Sequence, residues 1–174
     1  MRVAMVLYGD EVSDLTNDEL KVARHYDDAA FDLELERLPR EHPVEFAITR
    51  RWLERIVKSE ADVAEIVVGG GHYSEVLVRK RCFLQLVDVS GRLLEATASR
   101  LRNAGLEQQI LGVHLESATR LESLQTESVD AALPLGPLYH LQSEAERRRA
   151  VAEAARILRP TGILFAAGIN RLAY

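Results

Sequence analysis

Short apolar runs alternate along the chain with longer segments in which apolar residues recur every three to four positions. The runs are typical of buried strands and the longer segments of amphipathic helices. Five strands are predicted over residues 63–68, 83–87, 110–115, 129–135 and 163–169. Helices are predicted over residues 44–57, 73–80 and 91–104, after Thr16, and after Ser143. Strands and helices therefore alternate through most of the chain.

The segment before the first strand is expected to be helical. Thr16 followed by Glu19 has the spacing of a capping box, which predicts the start of a short helix. The acidic and aromatic stretch 26–32 has two open interpretations: a mobile lid or partner-docking segment, or a solvated helix face. Pro39 and Pro43 bracket an expected break between helices. The apolar residues 1–8 form a strand or part of a helix, and their periodicity does not decide.

The helix over residues 44–57 carries an apolar stripe that should face the core. The stripe consists of Ile48, Trp52, Leu53, Ile56 and Val57. Because these residues recur at helical spacing, Trp52 is interpreted as a core residue rather than a ligand contact.

The order of the elements predicts an α/β fold with a Rossmann-like, doubly wound, mostly parallel sheet of about five strands. Several strands are nearly continuous apolar runs, as expected when helices cover both faces of a sheet. Two parts are distinguished, an N-terminal helical or lid segment over residues 1–43 and a Rossmann-like core over residues 44–174. Ligands bind such sheets beyond the carboxyl ends of the strands.

A glycine turn and an acidic residue mark two of these strand ends. Gly69, Gly70 and Gly71 follow the first strand, and Asp88 follows the second. Strand, glycine turn, helix, strand and acid is the outline of a nucleotide-binding βαβ unit. Asp88 is suited to bind both hydroxyls of a ribose. The open alternative is that Asp88 caps the next helix beside Ser90.

Composition narrows the class of protein. With 174 residues, of which 47% are hydrophobic and 28% charged, the chain is expected to form one domain with a buried core. No apolar run is long enough to cross a bilayer, and the N-terminus lacks the pattern of a signal peptide. The single cysteine, Cys82, excludes an internal disulfide, so a cytoplasmic location without membrane contact is expected. The net charge of -5 argues against nucleic-acid binding.

Three further stretches carry a resemblance to a known family. Residues 86–90, 128–141 and 156–167 resemble the second strand, the fourth strand with its loop, and the turn into the fifth strand of class I S-adenosylmethionine-dependent methyltransferases of the small-molecule type. The resemblance covers roughly residues 26–173. It implies S-adenosylmethionine as the cofactor and a small molecule as the methyl acceptor.

The family's first motif, an acid followed by alternating glycines, is kept only in part, and two registers are open. If the three glycines match the family's first glycines, Val67 takes the acidic position and two residues are missing. If residues 73–74 anchor the match, nothing is missing, Glu65 takes the acidic position, and Gly69 and Gly71 remain as cofactor-binding glycines. The second register is preferred because it preserves the distance to the acid of the second strand.

In the preferred register, Val67 stands where the family has its first glycine. Because valine is β-branched and disfavours a positive φ, the first strand is expected to continue straighter and to narrow the cofactor slot. Glu65 is the candidate acceptor for the ammonium group of the cofactor, directly or through water.

The resemblance places the other site residues at the remaining strand ends. Asp88 corresponds to the ribose-binding acid, and Ser117 stands near the adenine amine, where the family often has an acid. Gly136 begins the loop that faces the substrate and is included among the cofactor-binding residues. Tyr139 and His140 in this loop are the candidate catalytic residues, with His140 as a base near neutral pH. The open alternative for His140 is a loop histidine that only caps or packs. No histidine or cysteine pattern has the spacing of metal ligands, so no metal is expected.

The family usually continues past the fifth strand, whereas this sequence ends at Tyr174. A fifth strand at the sheet edge would have unpaired peptide groups. A homodimer through this edge is therefore expected. There are two alternatives: an N-terminal segment folds over this edge strand, or the chain is a fragment of a longer protein.

Three functional interpretations follow. The first is an S-adenosylmethionine-dependent methyltransferase acting on a small molecule. The alternative is a catalytically inactive methyltransferase-like binding or assembly protein, which Val67, Ser117 and the short C-terminal part favour. A nicotinamide-dependent oxidoreductase also fits a glycine turn and an acid, but not the resemblance at the fourth and fifth strands.

Overall fold

The computed structural model of the protein describes residues 15–169. The helices are α1 (Asn17–Asp27), α2 (Phe31–Arg40), α3 (Pro43–Ile56), α4 (His72–Arg79), α5 (Gly91–Asn103), α6 (Pro137–His140) and α7 (Glu144–Ile157), with a short 3-10 helix over Glu107–Gln109. The strands are β1 (Asp62–Ile66), β2 (Phe83–Asp88), β3 (Ile110–Leu115), β4 (Val129–Pro134) and β5 (Leu158–Leu164). The open question of residues 1–8 lies outside the described residues.

The five strands form one parallel sheet in the order β3-β2-β1-β4-β5. Successive β1 residues point to opposite faces, so Val63 joins the core cluster that includes Leu53, Leu77 and Leu101, whereas its neighbour Ala64 joins a second cluster. That second cluster includes side chains of α7. Apolar residues are therefore covered on both faces of the sheet, which confirms the predicted Rossmann-like α/β fold.

Helices α1 and α5 start at the side-chain caps that the sequence predicts. Thr16 and Glu19 form the complete capping box of α1. Ser90 accepts a hydrogen bond from the backbone N–H of Leu93 at the start of α5. Gly105 follows this helix with a φ of 71°, the left-handed conformation that a C-terminal glycine permits.

The prediction that Trp52 lies in the core is wrong. Trp52 is 45% exposed and Ile48 is 55% exposed, whereas Leu53 and Val57 are buried. The helix α3 packs through the Leu53 side of its apolar stripe, so that the Trp52 side faces outward. There the guanidinium of Arg55 lies over the Trp52 ring, 5.3 Å from its centroid.

The fifth strand begins earlier than predicted. It occupies Leu158–Leu164 rather than residues 163–169, because Leu158 already pairs with Val129. The pairing of β4 with β5 shifts in register between Val129 and Ala131, and the extra residues of β5 at this shift include Pro160 and Thr161. Thr161 has a φ of 70°. The proline and threonine that were expected to precede the strand therefore lie inside it.

The stretch 26–32 ends α1 and begins α2. Its Asp27 Oδ1 accepts hydrogen bonds from Ser90 Oγ at 2.5 Å and from the backbone N–H of Arg92 at 3.2 Å. The stretch therefore docks on the N-terminus of α5. Pro39 lies inside the last turn of α2, and the break between α2 and α3 falls at residues 41–42, between the two prolines as predicted.

Helices α1 and α2 fall within the predicted N-terminal segment, while its boundary at residue 43 stays a prediction. None of the helices in residues 15–169 has the length and apolar character needed to cross a membrane.

Candidate functional site

The strand order places a switch point between β1 and β4. From β1 the chain winds outward to β2 and β3, and it then returns to the other side of β1 to form β4 and β5. At such a point the two loops that leave neighbouring strands diverge and open a crevice beyond their carboxyl ends. The glycine turn after β1 and the loop after β4 are those two loops here.

A cavity of about 570 Å³ occupies this crevice. Its floor is formed by strand ends and their loops, and its walls and roof by α1, α2 and α3. From the floor it is lined by Val67, Gly69, Gly70, Asp88, Ser117, Gly136, Tyr139 and His140. From the N-terminal helices it is lined by residues that include Glu19, Tyr26, Glu34, Arg37, Glu45 and Thr49. The volume is within the range of pockets that bind small molecules.

The three glycines of the turn meet different neighbours. Gly69 and Gly71 have φ values of 52° and 73°, which only glycine adopts without strain. A Cβ at Gly70 would lie 2.8 Å from the carbonyl oxygen of Glu34, and a Cβ at Gly71 would lie 2.7 Å from Thr97 Oγ1. Gly69 and Gly70 line the cavity, whereas Gly71 packs against α5 outside it. The turn thus serves helix packing as well as access to the cavity.

The expectation that the chain continues straighter at Val67 is wrong. Val67 has a φ of 70°, the left-handed conformation that a β-branched residue disfavours by about 1–3 kcal/mol. Two hydrogen bonds hold it there: the Val67 N–H donates to the Val87 carbonyl at 2.8 Å, and the Val68 N–H donates to Asp88 Oδ2 at 2.9 Å. The side chain lines the cavity, and its Cγ1 lies 2.8 Å from where a Cβ would stand at Gly136.

Glu65 lies beneath the turn rather than in the cavity wall. It is 1% exposed, is absent from the lining, and accepts a hydrogen bond from Ser74 Oγ at 2.5 Å. Burial raises the pKa of the Glu65 carboxyl to about 8, and the nearby charge of Asp88 adds to this rise, while hydrogen bonds from Ser74 oppose it. Glu65 is therefore mostly protonated at neutral pH, and its contact with a cofactor ammonium stays a prediction.

Asp88 lies at the end of β2 and faces the cavity. Its two carboxylate oxygens accept the backbone N–H groups of Val68 and Ser90, each at 2.9 Å. Burial raises the pKa of Asp88 to about 6, while these amides oppose the shift. Each oxygen keeps a further lone pair for a ligand hydroxyl. The helix-cap and ligand interpretations of Asp88 are thus compatible.

Ser117 has a partner that the sequence patterns did not indicate. Its Oγ donates to Glu19 Oε1, so α1 brings a carboxylate to the place where the loop after β3 supplies only a hydroxyl. Burial opposes ionisation of Glu19, but hydrogen bonds from Ser117, Thr16 and Thr119 prevail and hold its pKa below the usual value. Glu19 is therefore an anion at this side of the cavity.

His140 and Tyr139 both line the cavity, at the short helix α6. His140 Nε2 lies 3.2 Å from Tyr26 Oη, and Tyr139 Oη donates to the Leu135 carbonyl at 3.1 Å. Burial, with the nearby charges of Arg37 and His25, lowers the pKa of His140, so its imidazole is neutral near pH 7. Burial raises the pKa of Tyr26 to about 12, so this phenol keeps its proton.

The second finding that the sequence did not indicate is an ion pair on α2. Arg37 Nε donates to Glu34 Oε2 at 2.9 Å, and both side chains are largely buried. Their three-residue spacing could have signalled an ion pair, but no local pattern showed that this face of α2 points into the cavity. Among residues 15–169, no group of histidine, cysteine and acidic side chains is arranged to hold a metal ion.

Comparison with known protein families identifies the domain that carries this cavity. A family model described as a methyltransferase domain matches residues 64–166. A search of curated protein sequences found no match to the chain.

Solved structures share the fold. A protein from Methanococcus maripaludis, assigned as an S-adenosyl-L-methionine-dependent methyltransferase, is 18% identical with a TM-score of 0.63, over 91% of this chain and 68% of that one. A SAM-dependent methyltransferase from Thermotoga maritima is 24% identical with a TM-score of 0.61, over 83% and 60%. The cyclase SpnF is 23% identical with a TM-score of 0.61, over 70% and 44%. The chain thus spans about half the length of several structures it matches.

Proposed function

We propose, from the premise that the chain belongs to the methyltransferase domain family, that it binds S-adenosylmethionine in the cavity and transfers the methyl group to a small-molecule acceptor. The observation that carries the proposal is the convergence of the glycine turn, Asp88, Ser117 and the loop at Gly136 on one cavity at the switch point. The size of the cavity favours a small acceptor over a macromolecule.

The residues present fit the nucleoside part of this cofactor. Asp88 offers two carboxylate oxygens at a strand end, the place suited to ribose hydroxyls. Ser117, with Glu19 beside it, offers an acceptor for an adenine amine. Gly69 and Gly136 present backbone without side chains to the cavity, which permits close approach of a ligand.

In the mechanism that we propose, the bound cofactor supplies a methyl group activated by a sulfonium, and the protein positions the acceptor and removes its proton. Neutral His140 is the base. In the His140 tautomer with its proton on Nδ1, the Tyr26 hydroxyl, which keeps its own proton, donates to His140 Nε2. A proton from the acceptor can therefore pass to Tyr26 Oη while the phenol proton passes to His140 Nε2. Tyr139 is held by its bond to the Leu135 carbonyl and shapes the acceptor side.

A catalytically inactive binding protein is the second candidate, favoured by the Val67 side chain in the cavity. If that side chain obstructs the cofactor, Val67→Gly should tighten the binding of S-adenosylhomocysteine. Unchanged affinity would refute the obstruction and leave the first candidate favoured.

Calorimetric titration tests the proposed function. We expect heat from S-adenosylmethionine and S-adenosylhomocysteine but none from NAD. Asp88→Asn should weaken both sulfur ligands, whereas Glu144→Gln at an exposed position of α7 should not. Absence of binding by both sulfur ligands would overturn the proposal, and binding of NAD alone would replace it with the oxidoreductase interpretation.

A further inference from the structure

We propose that Glu34 and Arg37 of α2 form a receptor for a zwitterionic α-amino acid group, with Glu34 accepting its ammonium and Arg37 binding its carboxylate. The proposal rests on the proposed function, since the ligand group meant is the amino-acid end of the cofactor. It assigns to α2 a role in ligand recognition beyond covering the cavity.

Glu34 lies against the glycine turn at the wall of the cavity. Its Oε1 lies 2.8 Å from the position that a Cβ would take at Gly69, and both residues line the cavity. Only 12% of the Glu34 side chain is exposed. A ligand that runs along the glycine turn therefore passes beside a shielded carboxylate, where a charged hydrogen bond is stronger than at the surface.

Arg37 lies one turn along the same face of α2. Its Nε is committed to Glu34, whereas within residues 15–169 its terminal Nη groups make no hydrogen bond and only approach Glu45 at 3.8 Å. The guanidinium has five N–H donors in a planar fork that matches a carboxylate. Arg37 can therefore keep its bond to Glu34 and still bind a carboxylate of the ligand.

Tyr73 in the same wall is an independent sign that a polar ligand group belongs here. It is 7% exposed, and among the described residues its buried hydroxyl makes no hydrogen bond of ordinary geometry, although Thr49 lies beside it. Buried hydroxyls are rarely left unpaired. A ligand carboxylate bound by Arg37 would supply the missing acceptor.

Glu65 is poorly suited to the same task. It lies outside the cavity lining and is mostly protonated at neutral pH, so it offers no anion to an ammonium. The proposal therefore moves the ammonium contact from the acid of β1 to an acid of α2.

An ordinary helix ion pair is the competing explanation, and α2 contains one for comparison. Arg40 and Glu36 lie 3.4 Å apart with side chains 77% and 52% exposed, whereas those of Arg37 and Glu34 are 26% and 12% exposed. An exposed pair contributes little to stability or binding. Glu36 and Arg40 therefore provide matched control positions on the same helix.

The experiment compares two nucleosides by calorimetry. S-adenosylhomocysteine carries the amino-acid end, and 5′-methylthioadenosine lacks it. We expect the wild-type protein to bind S-adenosylhomocysteine at least about tenfold more tightly, as one or two charge-assisted hydrogen bonds imply. Glu34→Gln and Arg37→Met should each remove most of that preference while changing the affinity for 5′-methylthioadenosine less than about twofold. Glu36→Gln and Arg40→Met should keep the wild-type preference.

Each result decides a separate point. Wild-type protein that binds neither nucleoside overturns the proposed cofactor, and the amino-acid receptor with it. Wild-type protein that binds both nucleosides equally overturns the receptor alone, and this comparison needs no variant. Variants that lower both affinities in parallel, or that lower only the unfolding temperature, assign the pair to holding α2 and likewise overturn the receptor.

Discussion

At the scale of single residues, two substitutions of Val67 distinguish the effect of backbone strain from the effect of side-chain size. Val67→Gly removes the disfavoured left-handed strain, whereas Val67→Ala removes the same methyl groups but keeps a Cβ at a φ of 70°. We expect the glycine variant to be the more stable of the two by about 1 kcal/mol in denaturant unfolding. An alanine variant as stable as the glycine variant would show that this turn stores no strain.

Glu65 gives a prediction about pH. The folded protein keeps the Glu65 proton up to a pKa of about 8, whereas the unfolded chain loses it above about 4.5. The folded state therefore binds more protons between these values, and the free energy of unfolding should fall as the pH rises from 5 to 8. Asp88, with a pKa of about 6, adds to the fall over the lower part of this window.

The variant Glu65→Gln cannot ionise, so its unfolding free energy should fall less steeply with pH than that of the wild type. The measurement is urea unfolding at pH 5, 6, 7 and 8. Glu54→Gln, exposed on α3, is the control and should keep the wild-type slope. Equal slopes for Glu65→Gln and wild type would contradict the burial of an ionisable carboxyl at this position.

At the scale of elements, α2 is fitted to the glycine turn through backbone atoms. A Cβ at Gly70 would lie 2.8 Å from the Glu34 carbonyl oxygen and 3.1 Å from the Cα of Leu35. Because backbone atoms cannot rotate away, Gly70→Ala should displace α2 and destabilise the protein by about 1–3 kcal/mol. Amide exchange in α2 should accelerate, as hydrogen-exchange mass spectrometry would show.

The matched control is Gly91→Ala at the start of α5, where an added Cβ meets no atom within 4 Å. This variant should be neutral or slightly stabilising, since alanine favours a helix over glycine. Equal stabilities of the Gly70→Ala and Gly91→Ala variants would show that Gly70 is not needed for close packing between α2 and the turn.

At the scale of the whole molecule, the homodimer through β5 stays a prediction. β5 lies at one edge of the sheet in residues 15–169, but Pro160 and Thr161 make its first half irregular. Only the regular second half, near Ile163 and Leu164, is suited to pairing with another strand. Sedimentation should give about twice the chain mass of 19.5 kDa. A stable monomer with rapidly exchanging β5 amides would refute the dimer.

The sequence predicted the fold more completely than the site. Periodicity, capping residues and glycines after helices are local signals, so the helix and strand order and the glycine turn could be read directly. The direction in which α3 faces and the start of β5 depend on packing and pairing with distant residues. The exposed Trp52 and the early pairing of Leu158 were therefore missed.

For the site, the sequence by itself determined which residues stand at the ends of the strands, because strand ends follow from the local pattern of apolar runs. Asp88, Gly69, Ser117 and Gly136 were found in this way, and all of them line the cavity. The tertiary structure alone decided which distant side chains join them, since contact between segments far apart in sequence leaves no local pattern.

Glu19, Glu34 and Arg37 enter the cavity only because α1 and α2 fold over the sheet. The tertiary structure also decided the conformation of Val67, where hydrogen bonds from two backbone N–H groups to the Val87 carbonyl and the Asp88 carboxylate outweigh the preference of a β-branched residue. In the tertiary structure Glu65 lies outside the cavity and is buried against Ser74. Side chains along a strand alternate between the two faces of the sheet, and only the packed structure shows which face a given residue occupies.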